Sequence, residues 1–255
     1  MTFEQFSDGT SFLHRADPRG KLISTGVLSL IIALSQNWAP ALLGFLLAFI
    51  LVLAARLSWT KLFRRLLIVN SFNLLLCLIL PLTYTGGTPL SFAGINLSST
   101  GFFLALLITV KSNAVILLFI SLLATSTAAQ LGHGLQQLRL SPKLCLLLLF
   151  SYRYIELIQQ ELFRLQRAAT LRCFQPRTNL HTYKTYSYML GMMLVRSWNR
   201  AARIQQAMEL RGFSGQFHSL HNARGMQKSD LLLLVILLLA GVGLAGLEIL
   251  EILSR

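Results

Sequence analysis

Two arginines in this sequence sit in matching surroundings. Ala168-Ala169-Thr170-Leu171-Arg172-Cys173 and Ala207-Met208-Glu209-Leu210-Arg211-Gly212-Phe213 each place an alanine four positions before an arginine. Residues at that spacing share one face of a helix. A small residue that lets the helix sit close in a groove is thus followed, one turn later, by a guanidinium whose five donors suit a carboxylate or backbone carbonyls. The chemistry on offer is docking rather than bond-making, and two such tips ask for a partner with two equivalent grooves, a dimer or two related subunits. An arginine near a helix C-terminus also complements the helix dipole, but the repeat of small residue and arginine favours docking.

Other reactive groups form no comparable constellation. His218 and His221, in His-Ser-Leu-His, have metal-binding spacing, yet no Asp, Glu or Cys lies close in sequence, so they read as a polar surface loop. Met1-Thr2-Phe3 puts no histidine near the amino group, and no metal is placed on the chain. Cys77, Cys145 and Cys173 lack CxxC or Cys/His spacing and read as buried or lipid-facing thiols. A G-x-x-x-x-G-K-[ST] loop is absent from the sequence, so ATP has to be bound elsewhere. Lys111, near Asn113, is the sole base inside a long apolar run; it either snorkels or pairs with a polar residue on a neighbouring helix. Tyr183, Tyr186, Met189 and Met193 read as a packing stripe rather than a cofactor site.

The elements that must position the two tips follow from composition. Of 255 residues 54% are hydrophobic and only 13% charged, and mean hydropathy is +0.61. This excludes a soluble enzyme, a disordered chain and a disulfide scaffold and makes an integral membrane protein. Residues 22–55 carry no charge and hold two spans, with Gln36, Asn37, Trp38 and Pro40 as the break. A second uncharged run, 66–110, is interrupted by Pro81 and the Gly- and Pro-rich stretch after Thr83, giving spans at about 64–82 and 101–123. The run 231–247 is a fifth span, and its Gly241, Gly243 and Gly246 offer close helix contact.

Charge orients these spans. Arg56, Lys61, Arg64 and Arg65 follow span two without an acid, whereas residues 83–100 carry no charge, so the N-terminus is cytoplasmic by the positive-inside rule. Residues 124–228 hold 14 Lys or Arg against three Glu and are cytoplasmic too. Up to Lys21 the acids Glu4, Asp8 and Asp17 balance the bases Arg15, Arg19 and Lys21 ahead of a long apolar run, which argues against a cleaved signal peptide. The expected organisation is an all-α membrane protein of about five spans: four in 1–123, a cytoplasmic region at 124–228, and a last span in 229–255. Three helices are predicted in the cytoplasmic region, at about 126–138, 142–172 and 180–210, opened by Pro142 and closed by Gly212 as a C-cap. Whether 144–158 dips into the bilayer stays open.

The segment Ser11-Phe12-Leu13-His14-Arg15-Ala16-Asp17-Pro18-Arg19-Gly20-Lys21-Leu22 resembles the His-Arg-x-Asp-Pro-Arg-x-Lys start of the first span in transmembrane T subunits of energy-coupling factor (ECF) transporters, the EcfT/CbiQ family, of the cobalt-importing CbiQ type. The paired helix ends are similar to that family's two Ala-x-x-x-Arg-Gly coupling motifs, and the likeness runs along essentially the whole chain. The first tip departs from the pattern, with Cys173 where glycine is expected. The resemblance implies a non-catalytic subunit of an ABC-type importer, without cofactor of its own, since ATP is bound by partner subunits. Arg172 and Arg211 would each enter a groove on one of two ABC-type ATPase subunits, with Ala168 and Ala207 allowing close approach, Gly212 ending the second helix and Phe213 packing behind it. Motion would pass to a separate substrate-binding membrane S subunit, CbiM-like, most simply for cobalt uptake. Asp17 and Arg19 cap the first span or pack against the cytoplasmic helices. The location expected is the cell (inner) membrane, multi-pass, with bilayer lipid and these subunits as partners and no nucleic acid. The competing readings are a secondary transporter and a membrane scaffold with a basic cytoplasmic surface; the spans show no repeated halves, and total charge does not account for two matching tips.

Overall fold

The computed structural model describes residues 11–83, 89–92, 95–138, 140–213 and 228–253. His218 and His221 lie outside the described residues. The chain divides into two compact units, residues 1–135 with 223–255, and residues 136–222.

In the first unit a short α1 (Phe12–Arg15) leads to α2 (Pro18–Leu34), α3 (Trp38–Ala55), α4 (Trp59–Thr83), α5 (Ser99–Leu118), α6 (Ala128–Gln137, whose last turn passes out of the unit) and α9 (Lys228–Leu253). Four stretches are long and apolar enough to cross a membrane, Trp38–Ala55, Trp59–Thr83, Ser99–Leu123 and Ser229–Glu251. Their outward residues, such as Leu67, Ile68, Phe72, Leu74 and Leu78 on α4, are exposed hydrophobics, as a lipid-facing surface requires. The protein is a multi-pass membrane protein. The fifth expected span, α2, has 17 residues, about 26 Å of helix, at the short end of what crosses a bilayer. It forms much of the core: Leu28 and Ile32 meet Ala48 and Val52 of α3, Ala114 and Leu118 of α5, and Leu237 of α9. Small residues set the approach. A Cβ on Gly44 would lie 2.8 Å from Ile32, and one on Gly241 would lie 3.2 Å from Ile31, whereas Gly243 and Gly246 face open space. Of the three glycines noted on the last span, only Gly241 serves a helix contact within the chain.

Three local features differ from expectation. The fourth helix continues through Pro81 to Thr83, because a proline in the last turn costs only one helical hydrogen bond. The stretch read as a loop before α5 contains a hairpin of β1 (Pro89–Phe92) and β2 (Ile95–Ser98), with Leu90 opposite Leu97 and Phe92 opposite Ile95; its alternation of apolar and polar residues is too short to stand out. Finally, α5 runs on as a π-helical turn, Phe119–Leu123, closed by the Ala124 N–H on the Phe119 carbonyl at 3.0 Å.

The turn between α2 and α3 meets the middle of α5. Lys111 lies at the midpoint of the stretch Ser99–Leu123, and its ammonium donates to the Ser35 carbonyl and, at 3.4 Å, to that of Ala33. The Gln36 N–H donates to Glu248 Oε1 of α9 at 2.7 Å. Backbone groups at membrane depth need partners within the protein, and these two side chains supply them. Of the two readings open for Lys111, it pairs, and its partner is the carbonyl end of a helix.

The second unit is built on α7 (Pro142–Leu171) and α8 (Leu180–Leu210). Their bounds follow from Pro142 at the first turn of one and the end signals discussed below. Phe174 meets His181 and Tyr186, with ring centroids 6.2 and 5.9 Å away, and Glu161 accepts from Arg196 and lies 3.1 Å from Arg164. Contacts that advance along α8 as they retreat along α7 make the pair antiparallel. The Arg196 hydrogen bond holds the Glu161 carboxyl below its usual range against the opposing effect of burial, and the charges of Arg164, Arg196 and Arg200 add to it.

Candidate docking site at two helix ends

Both long helices end in the same backbone motif. At the end of α7, the Cys173 N–H bonds to the Thr170 carbonyl at 3.0 Å and the Phe174 N–H to the Ala169 carbonyl at 3.1 Å. After α8, the Gly212 N–H bonds to the Glu209 carbonyl at 2.9 Å and the Phe213 N–H to the Met208 carbonyl at 3.0 Å. These paired bonds, one nested inside the other, define a Schellman ending. In each case the arginine is the C-cap, with φ near −90° (−92° at Arg172, −90° at Arg211). The next residue takes the left-handed conformation, at φ 63° for Cys173 and 78° for Gly212. Cysteine therefore does at the first tip what glycine does at the second, and the departure noted in the sequence leaves the form of the ending intact.

Side-chain exposure repeats as well. Ala168 and Ala207 are exposed, Ala169 and Met208 half-buried, Arg172 and Arg211 exposed, and Phe174 and Phe213 half-buried. Leu171 and Leu210 are 87% and 90% exposed. Neither Arg172 nor Arg211 makes a side-chain hydrogen bond or ion pair among the described residues. Each tip thus presents an apolar residue and an uncommitted guanidinium side by side. Cys173 is exposed, which corrects the expectation of a buried or lipid-facing thiol there; Cys145 is buried as expected.

The antiparallel arrangement separates the tips. Arg172 lies about three helical turns beyond Glu161, and Arg211 about four beyond Arg196. At 1.5 Å per residue the tips extend roughly 16 and 22 Å to opposite sides of that contact, about 38 Å apart along the helix axes. Beside the first tip, Ala168, Ala169, Arg172, His181, Met189 and Met192 help to line an open groove of about 450 Å³. Along the Tyr and Met stripe of α8, Met189 is buried, whereas Tyr183 is 63% exposed.

The residues predicted to support the site occupy two places. Asp17 caps α2, accepting from the Arg19 N–H at 2.9 Å, and its carboxylate lies 4.0 Å from the Arg19 guanidinium. The same first turn touches α6, since a Cβ on Gly134 would lie 3.3 Å from Pro18 Cβ and 3.5 Å from Arg19 N. The cap is present, and the first turn it opens lies against α6. Phe213 closes the second Schellman ending. The sequence places Leu171 and Leu210 in the shared Ala-x-x-Leu-Arg pattern without giving them a role and places Phe174 only in the turn, although Leu-Arg-x-Phe stands at both ends. Among the described residues no three His, Cys, Asp or Glu side chains gather where a metal would be held.

Comparison with known proteins adds to this geometry. Residues 9–221 match the family CbiQ, described as cobalt transport protein. The chain is 28% identical to the energy-coupling factor transporter transmembrane protein EcfT of Macrococcus caseolyticus, over 84% of this chain and 85% of that protein. It is 24% identical to EcfT of Streptococcus equi, over 96% of this chain and 95% of the other. EcfT of Bacillus subtilis is 26% identical over 84% and 85%.

Proposed function

The chain belongs to the CbiQ family of cobalt transport proteins, whose members are non-catalytic transmembrane coupling subunits of energy-coupling factor transporters, and on that premise we propose that its two Schellman tips carry the coupling. Arg172 and Arg211 each enter a groove on one of two ABC-type ATPase subunits. Ala168 and Ala207 let the helix sit close, Gly212 shapes the second ending, and Leu171 and Leu210 fill an apolar depression beside each guanidinium. Burying one such leucine contributes about 1.5–3 kcal/mol before ordering costs are met. When ATP closes the ATPase pair, the grooves approach, and α7 and α8 follow them as levers. Their displacement reorients a separate substrate-binding membrane S subunit, and the substrate is cobalt.

The observation that supports this reading is the pairing of an unpartnered arginine with a bare leucine at both tips, on identical backbone. A helix end that served only its own dipole would need the arginine but not the exposed leucine. Levers must also resist bending, and α7 has neither Gly nor Pro after its first residue. The exposed aromatic and Met residues of α8 suit a surface on which the S subunit slides.

The test is co-purification of the chain with ABC-type ATPase subunits and ATP-dependent cobalt uptake, for wild type, Arg172→Ala, Arg211→Ala and the double variant. Single variants that insert normally into the membrane but lose ATPase subunits or uptake support the reading. Variants that assemble and transport like wild type sink it. Uptake of nickel in preference to cobalt corrects the substrate and leaves the coupling role in place.

A further inference from the structure

Lys21 is 1% exposed, in the first turns of α2, and its ammonium makes one hydrogen bond among the described residues, to Ser126 Oγ at 2.8 Å. The carboxylates of Asp230 and Asp17 act on it electrostatically. Ser126 stands in the elbow between the π-helical turn and α6, through which the chain leaves the first unit for residues 136–222. Asp230 lies in the first turn of α9, by which it returns. The neighbouring glycines bring the same two elements against α2. A Cβ on Gly20 would lie 3.5 Å from Leu234 Cδ1 and 4.0 Å from the Asp230 carbonyl, and one on Gly134 would lie 3.2 Å from Leu22 Cδ1. The elbow is buried at Thr125 (2% exposed) and Ser126 (6%), and the π-helical turn before it at Ser121 and Leu122.

A buried ammonium loses solvation that a methionine of similar length would not need. Apolar surfaces of equal volume fill the same space but slide past one another. A hydrogen bond fixed in direction does not. Lys21 therefore holds α2 in register with the elbow by which the chain leaves the first unit, while the Gly20 contacts set the start of α9, by which it returns, against the same turn of α2.

We propose that Lys21 is a positioning residue for coupling, which ties the α5–α6 elbow and the start of α9 together so that displacement of the insertion moves α2 and α9 instead of being absorbed where the chain crosses between units. This inference rests on the coupling role argued above.

The experiment uses the complete transporter, assembled with its ATPase and S subunits in proteoliposomes, with Co²⁺ as the transported probe and imported metal per ATP hydrolysed as the readout. Lys21→Met is expected to lower that ratio about fivefold or more, the lower end of ordinary inter-site coupling, while ATP hydrolysis by the assembled complex continues near the wild-type rate. Ser126→Ala, which removes only the hydroxyl that Lys21 donates to, is expected to lower it in the same direction, and Lys21→Arg to recover most of it. Hydrogen exchange is expected to quicken in residues 124–135 and 228–235 of Lys21→Met and to stay unchanged in α3 and α4. An unchanged ratio in Lys21→Met overturns the proposal, and if that variant fails to assemble, an unchanged ratio in Ser126→Ala does so. A parallel fall of hydrolysis, uptake and complex yield, with exchange quickened throughout the bundle, also overturns it, since that marks a purely structural lysine. Intact uptake in Arg172→Ala and Arg211→Ala would instead defeat the coupling role itself, so the two failures are distinct.

Discussion

Cys173 and Gly212 hold the same backbone position, the left-handed residue after the C-cap arginine, at φ 63° and 78°. Only one of them is a residue for which that conformation costs little. An L-residue there is strained by about 1–2 kcal/mol, partly offset by the larger unfolded-state entropy of glycine. Cys173→Gly is expected to raise the stability of the protein by roughly 0.5–1 kcal/mol, and Gly212→Ala to lower it by about 1 kcal/mol. Thermal unfolding of the purified chain in detergent reads both. A midpoint that falls on Cys173→Gly would show that the thiol makes contacts outweighing its strain.

The matching tips were legible in the sequence because each carries an alanine four positions before its arginine, whereas the phenylalanine common to both was singled out only at the second. The extents of α7 and α8 were legible for the same reason, since Pro142 opens one and Gly212 follows the other. What could not be read is equally specific. A positive φ at Cys173 is imposed by the hydrogen bonds around it, and nothing in the type of residue announces it. Lys21 and Ser126 are 105 residues apart, and a lysine at the margin of an apolar run reads as a solvated flank until the fold buries it. Gly241 and Gly243 have the same local surroundings, and only the position of α2 decides which of them is in contact.

The turn between α2 and α3 is met by Lys111 of α5, and the prediction there concerns that lysine. Replacing it by methionine leaves the Ala33 and Ser35 carbonyls without their charged donor in a region of low water content. The expected loss is about 1–3 kcal/mol, the range for stranding a buried polar group. Glu248→Gln keeps an acceptor for the Gln36 N–H and is expected to cost less. The thermal midpoints of the two variants in detergent give the comparison; equal midpoints, both at the wild-type value, would mean that water reaches the turn and satisfies it.

Close approach of α2 and α3 rests on Gly44. A methyl group there would stand 2.8 Å from both Cδ1 and Cγ1 of Ile32, a β-branched side chain with little rotamer freedom in a helix and 1% exposure. Gly44→Ala is expected to destabilise by about 1–3 kcal/mol through overpacking, whereas Gly246→Ala, with nothing within 4 Å, is expected to be silent or slightly stabilising. Reversal of that order in a thermal-shift comparison would place the tight contact elsewhere.

Glu161 links α7 to α8 with its carboxyl held below the usual range, chiefly by the Arg196 hydrogen bond. A depressed carboxyl contributes stability that is present above the unfolded value of about 4.3 and is lost as pH falls through the folded value. Wild type and Glu161→Gln are therefore expected to differ in unfolding midpoint at neutral pH and to converge in acid only once the pH has fallen below the folded value. A difference that persists unchanged into acid would assign the effect to shape rather than charge.

The last prediction separates geometry from charge at the tips. A membrane scaffold that binds through its basic surface responds to total charge, so Arg172→Lys and Arg211→Lys should leave it unaffected. A groove that takes a guanidinium through several directed hydrogen bonds distinguishes the two side chains, because an ammonium is a point charge on a flexible stem and cannot reproduce the planar fork. Both lysine variants are thus expected to lose co-purifying ATPase nearly as fully as the alanine variants do. Leu171→Ala and Leu210→Ala, which change no charge, are expected to weaken the same association by about 1–3 kcal/mol each. The amount of ATPase retained per T subunit after affinity purification, at low and high salt, gives all four values. If the lysine variants hold the ATPase like wild type and the leucine variants are silent, the tips act as charge alone. If all four fall while residues elsewhere on the basic surface tolerate loss of charge, the groove reads the shape of the helix end, leucine and arginine together.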